Sequence, residues 1–247
     1  MKNGFFILLC LPMISWCQLS IGNDQTICLG DVASVIGTTS IQPSTDSYQV
    51  TNINFDPEII TGASITLGDD DVQGPFPIGF TFQFYGNNYT DFYVGSNGWI
   101  GFSSGQPTAL GAIPIPDATG YLPRDCIMLS WQDLNPSSGG QVLYQTLGLA
   151  PNRRFVLTFD AVPYYGTTSG GLFSSQVVLY EGSNVIDNHT IDKPLHTVAS
   201  VQGIHDLLGL NATAVPGRNS TVWSAISESV RYFPSGISWF DMNSGQL

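Results

Sequence analysis

Charge is what this sequence has least of. Only 11% of its 247 residues are Asp, Glu, Lys or Arg, against roughly 25% in an average soluble domain. What charge there is has mainly one sign: seven basic residues face nineteen acidic ones, a formal net charge of −12. So few cations exclude a nucleic-acid partner, whose phosphates demand a basic footprint. They also exclude docking on an anionic bilayer. The balance admits divalent cations and neutral glycans, or simple solubility. Cysteine is scarce too, and two of the four, Cys10 and Cys17, fall in the N-terminal leader. Cys28 and Cys126 could pair in an oxidising compartment, or Cys28 could pair outside this chain; two cysteines make no disulfide framework. No apolar run reaches the about 20 residues that span a bilayer. The run from Phe5 to Ile14 follows Lys2 and precedes Ser15-Trp16-Cys17, so residues 1–17 read as a signal peptide cleaved before Gln18. Lipidation of Cys17 is the second reading, and bulky Trp16 fits it poorly. The mature chain is expected to be secreted or displayed at the cell surface, with no membrane insertion.

Helical periodicity is nearly missing as well. Only 222–230 (VWSAISESV) spaces Trp223, Ile226 and Val230 as a helix face would, and the same letters allow a strand. What remains is β structure. In GFTFQFYG (79–86), Phe80, Phe82 and Phe84 alternate with Thr81, Gln83 and Tyr85, the period of a half-buried strand. Further strands are expected at 126–131, 141–148, 153–162 and 175–187, punctuated by Gly and Pro. In FYVGSNGWIGF (92–102), Asn97-Gly98 is the preferred two-residue type I′ turn. That turn would pair Ser96 with Trp99 and Gly95 with Ile100, with Trp99 capping the core near one end. Many short strands and no long helix predict an all-β protein, an antiparallel jelly-roll-like sandwich with a short N-terminal leader strand. The divisions are 1–17 signal peptide, 18–48 leader, 49–235 sandwich, and 236–247 the start of a following domain or tail.

The ordered blocks GFTFQFYGNNYTDFYVGSNGWIGF, WQDLNP, APNRRFVLTFDAVPYYG, QVVLYEGSNVID and VASVQGIHD resemble a module of secreted multidomain surface proteins of the Bacteroidota type. The strand–SNG–strand core is similar to the nidogen-like extracellular domain of matrix and adhesion proteins. DQTICLGD (24–31) and ISWFDMNSG resemble the openings of the immunoglobulin-like repeats found in such bacterial chains. The resemblance covers about 65–235. It implies a β-sandwich with an adhesive or scaffold role, further domains in the same polypeptide, and no catalytic residues.

Candidate sites are few. Asp69, Asp70 and Asp71 supply the hard oxygen ligands that a loop Ca²⁺ takes, with Asp117 and Asp133 as contributors. The spacing is not an EF-hand, and a solvated turn is the alternative. Tyr121, Tyr164 and Tyr165 lie in loops where rings could stack on sugar faces, or simply pack the loop down. GFSSG (101–105) fits the G-x-S-x-G nucleophile pattern at Ser103, but a Pro/Gly-rich loop follows where a helix is required. Asp133, Asp160 and Glu181 are the carboxylates that a glycosidase would need, although Asp133 and Glu181 read as turn residues. His189, His196 and His205 have no metal spacing. Arg153-Arg154 should find an internal carboxylate, with a carboxylate-bearing ligand as the alternative. Four N-x-T sequons begin at Asn88, Asn188, Asn211 and Asn219. The expectation is a non-catalytic extracellular binding, adhesion or spacer module whose partner is a glycan, a matrix protein or a surface protein. The alternative is a secreted carbohydrate-active protein, either a glycan-binding module or a carboxylate-dependent glycosidase.

Overall fold

The computed structural model describes residues 44–108, 113–166 and 171–235, and the backbone of 19–20 and 38–39. The signal peptide, Cys28 and the 236–247 tail lie outside the described residues. The chain divides into two compact units, Met1–Gln42 and Pro43–Leu247. In the first, β1 (Leu19–Ser20) pairs antiparallel with β2 (Thr38–Thr39).

The second unit is an antiparallel β-sandwich. One sheet holds seven strands: β3 (Tyr48–Ile53), β4 (Ala63–Ile65), β9 (Gln141–Leu147), β10 (Arg154–Pro163), β11 (Leu172–Tyr180), β12 (Ile186–Lys193) and β15 (Ala225–Pro234). Their spatial order is β3-β15-β12-β11-β10-β9-β4. The other holds six: β5 (Val72–Phe84), β6 (Asn87–Gly95), β7 (Trp99–Gly101), β8 (Cys126–Trp131), β13 (Ser200–His205) and β14 (Ala212–Thr221), in the order β14-β13-β8-β7-β6-β5. The expected all-β sandwich is therefore present. From Ala225 onward the 222–230 segment is strand: β15 is paired on one side with β12 and on the other with β3, and two ladders outweigh a weak helical spacing. The expected 175–187 strand is two strands, parted by a turn at Glu181–Asn184.

Phe80, Phe82 and Phe84 all enter the core as their alternation requires, sharing one buried cluster with Phe155, Leu157 and Phe159 of the opposite sheet. Phe92 and Phe155 bridge the sheets with ring centroids 4.7 Å apart. A second apolar cluster covers the outer face of the six-stranded sheet, where Ile115 and Leu122 of the 102–125 crossover pack with Trp99, Met128 and Trp131. The outer face of the seven-stranded sheet is crossed by a strap, residues 54–62, which joins its two edge strands. Phe55 meets His189 on β12, the Glu58 N–H and carbonyl bond the side-chain amide of Gln176 on β11, and the Glu58 carboxylate pairs with Arg154 on β10. Thr61 N–H then reaches Gln145 on β9.

The SNG hairpin departs from its expected register by one residue. Gly95 lies opposite Trp99, Val94 opposite Ile100, and Tyr93 opposite Gly101. The loop is thus Ser96-Asn97-Gly98, and of these only Gly98 takes a positive φ, +78°. That is a three-residue loop ending in a left-handed glycine, not a type I′ turn. A one-residue slip exchanges the faces: Val94 and Ile100 point into the inter-sheet core, and Trp99 into the outer cluster. Gly95 is required because the indole lies across it; a Cβ there would sit 2.2 Å from Trp99 Cε2. Trp99 is wholly buried, so it caps the outer cluster and offers no face to a ligand.

Candidate functional site

The SNG loop is the hub of one end of the sandwich, and its centre is Asn97, a side chain 1% exposed. Its Oδ1 accepts the Leu134 N–H at 2.9 Å. Its Nδ2 donates to Asp70 Oδ1 at 3.1 Å and to Thr108 O at 3.3 Å. Its carbonyl accepts the Gln132 N–H at 3.2 Å. Ser96 ties in the preceding loop, donating its N–H to Asp71 O while its Oγ accepts the Asp71 N–H at 2.9 Å. The turn that sequence reasoning treated as a local reversal therefore holds the 68–71 and 131–135 loops together. A buried Asn flanked by glycine between two apolar strands was the available signal.

What the hub assembles is a group of three carboxylates. One oxygen each of Asp69, Asp70 and Asp133 lie within 4.8 Å of one another. Two of the three aspartates expected from the run are here. Asp71 is not, because its Oδ2 accepts the Gly68 N–H at 3.0 Å and Gln73 Nε2 at 2.9 Å, bonds that hold its carboxyl below the usual range. Asp133 takes its place. Burial first, then the charges of Asp70 and Asp69, push the Asp133 carboxyl up to about 6. Its Oδ1 is buried with no hydrogen-bond partner among the described residues. Asp69 is raised by burial and by Asp70. Three hard oxygen donors are the ligand type of Ca²⁺. Asp117, the other expected contributor, lies elsewhere, with its N–H on His205 Nε2 and its Oδ1 capping Thr119.

Two of the three loop tyrosines stand beside this group. Tyr165 N–H donates to Asp133 O at 3.1 Å, and Leu134 bridges Tyr164. Tyr164 is buried, its ring stacked on His196 at 4.7 Å, so it packs the loop down. Tyr165 is 54% exposed. His196 Nδ1 meets Gln132 Nε2 at 2.7 Å. Tyr121 is not part of this end. It is exposed on the 102–125 crossover, clasped to the loop that follows β13, where His205 pairs with Cys126 at the far end of β8.

The remaining candidates are spent on structure. Ser103 Oγ accepts Gln106 Nε2 at 2.7 Å. Buried His205 has Nδ1 on Pro123 O and Nε2 on the Asp117 N–H, so both ring nitrogens serve backbone groups and none is left for Ser103. His189 Nδ1 meets Ser229 Oγ. Glu181 is clasped by Arg153, accepting its N–H and guanidinium, which holds the carboxyl low. Asp160 accepts Gln141 Nε2 at 2.9 Å. Arg153 and Arg154 find internal carboxylates, as expected, in Glu181 and Glu58. Cys126 is a buried free thiol, its Sγ 3.3 Å from Pro123 O. Of the sequons, Asn88 and Asn211 are exposed and Asn188 is buried, while Asn219 binds both backbone groups of Ile115.

Every described cation is committed inside the protein. Arg153, Arg154, Arg218 and Arg231 pair with Glu181, Glu58, Glu228 and Asp187. Arg124 donates to Leu208 O and Ala118 O, and Lys193 to Trp223 O.

The fold and this end define a two-sheet antiparallel module whose loops gather on a buried hairpin turn. Residues 42–231, about three-quarters of the chain, match the family described as NIDO related. The chain belongs to that family, and the sandwich is its nidogen-like domain. No curated protein matches the chain, and no solved structure does. Among the described residues, no helix is long and apolar enough to cross a membrane.

Proposed function

We propose that this chain is a non-catalytic extracellular recognition module of a secreted surface protein, one that contributes to adhesion or spacing. The observation that carries the proposal is the NIDO-related match across the whole sandwich. The structural commitments of Ser103, His205 and Glu181 support it, since each already serves a fold-holding partner. The resemblance to Bacteroidota-type surface chains extends the proposal to a multidomain polypeptide. Its recognition surface is the end organised by Asn97, where exposed Tyr165 adjoins Asp133. That pairing favours a neutral glycan or a matrix protein as partner, because an exposed ring beside carboxylates suits sugar stacking and hydroxyl hydrogen bonds.

The test is a binding screen of the 18–247 chain on glycan and matrix-protein arrays, with calcium and then with EDTA. A saturable signal supports recognition, and its loss in EDTA assigns it to the Asp69–Asp70–Asp133 end. Blank arrays in both buffers would reject recognition and leave a spacer. Release of reducing sugar from any arrayed glycan would reject the non-catalytic reading.

A further inference from the structure

A second surface lies at the opposite end of the six-stranded sheet. The loop from Asp206 to Asn211 reads DLLGLN and holds Leu207, Leu208 and Leu210 out at 42%, 62% and 62% exposure, beside Tyr121 at 73%. Single exposed leucines need no explanation. Three in one loop, tied through Arg124 to the segment that carries an exposed ring, make an apolar surface, and such surfaces on soluble proteins mark contact sites.

The patch is built, not frayed. Asp206 closes the loop, accepting the Leu210 N–H and Asn211 Nδ2 on its two oxygens, each at 2.8 Å. Its own N–H donates to Asn211 O, and its carbonyl accepts the Gly209 N–H. Arg124 clasps the loop to the Tyr121 segment through Leu208 O and Ala118 O. Gly209, at φ +71°, lies so close to the same segment that a Cβ would sit 2.3 Å from Asp117 O. With its backbone fixed in this way, the loop cannot fold its leucines inward.

Charge decides what fits there. Arg124 is the one basic residue near the patch among those described, and its guanidinium donates to carbonyls of the two loops. Asp117 is half-buried beside the patch, and the chain as a whole carries −12. A lipid surface finds no cation for its phosphates. A second copy would bring another −12 to the same contact, a like-charge juxtaposition that disfavours self-association. We infer that the Leu207–Leu210 loop with Tyr121 docks a different protein, through an apolar surface rimmed by Lys or Arg. The apolar centre supplies the contact, and the acidic field selects the partner and speeds its approach.

The defined probe is an immobilised synthetic peptide alternating Lys and Leu, with a Glu/Leu peptide as its control. The comparison is the 18–247 chain against its Leu208→Ser, Leu210→Ser double variant, which keeps every charge and, with both residues at the surface, should keep its Tm. The Lys/Leu peptide should bind saturably, weaken with salt, and lose at least tenfold in affinity with the double variant, while the Glu/Leu peptide stays unbound. Equal binding of both chains would overturn the inference, since only the net field would then be at work. No binding of the Lys/Leu peptide would overturn it too. So would binding to phosphatidylcholine vesicles, or sedimentation as a dimer that the double variant abolishes. If the double variant unfolds, Tyr121→Ser replaces it with the same expected loss.

Discussion

Replacing Asn97 by alanine should cost far more than a turn residue normally does. Its Oδ1 is the acceptor for the Leu134 N–H, and Leu134 is wholly buried. Removing that acceptor strands the amide out of reach of water, at about 1–3 kcal/mol. The bond from Nδ2 to Asp70 is lost as well, but Asp70 is exposed and rehydrates, so this adds only about 0.5–1 kcal/mol. The longer bond to Thr108 O adds little. The sum is about 2–4 kcal/mol. With a urea m-value of about 2 kcal/mol/M, the unfolding midpoint should fall by about 1–2 M at unchanged m. Urea denaturation followed by tryptophan fluorescence measures it. A double-mutant cycle with Asp70→Ala separates the two bonds, with a coupling of about 0.5–1 kcal/mol expected. A midpoint within about 0.3 M of wild type would show that the buried amide finds another partner, and the idea of Asn97 as hub would fall.

Three further outcomes are expected. Asp125 is fully buried with Tyr89 O–H on its Oδ1, and burial raises its carboxyl to about 6; the folded state therefore keeps its proton to higher pH than the unfolded chain, and this stability is full below about pH 4 and lost as pH climbs to about 6. Asp125→Asn should flatten that fall and raise stability at pH 7 by up to about 3 kcal/mol, and melting curves from pH 4 to 7 that run parallel for the two proteins would contradict it. Lys193, buried against Trp223 and near Arg218, has its amine lowered to about 8, so the unfolded chain binds more protons between about pH 8 and 10.5 and stability should rise across that window; denaturation midpoints should lose this rise in Lys193→Met. Gly62 sits where a Cβ would be 2.0 Å from Tyr144 O and 2.7 Å from Gln145 Cβ; Gly62→Ala should cost about 2 kcal/mol or more and speed amide exchange along residues 58–61, and unchanged exchange there would show that the strap is not held at this point.

The sequence spoke most clearly where a local period maps directly onto a face. Phe80, Phe82 and Phe84 announce a strand with one buried side, and nothing distant can alter that reading. The SNG hairpin was legible as a hairpin but not in register, because Asn97 is claimed by Leu134 and Asp70, partners far along the chain. A turn rule weighs four residues; the slip is decided by Trp99 lying on Gly95 and by loops that the fold brings in. The acidic group shows the same limit. Asp69 and Asp70 stand adjacent in sequence, but Asp133 joins them only because β8 ends beside the SNG loop. Asp71 drops out through two short bonds that no spacing reveals. Tyr121, Tyr164 and Tyr165 looked alike as loop aromatics, and the topology sends Tyr121 to the opposite end. The 54–62 strap has no periodicity, so its crossing of the sheet is written only in long-range pairs such as Glu58 with Arg154.

The most direct test of the recognition surface is a titration of the strongest array ligand against wild type, an Asp133→Asn, Tyr165→Ala variant, and the Leu208→Ser, Leu210→Ser variant. Affinity should drop at least tenfold in the first variant without any loss of Tm, since Asp133→Asn removes a destabilised carboxylate, and stay at the wild-type value in the second. A ligand that binds all three equally would contradict a recognition surface at the Asn97 end.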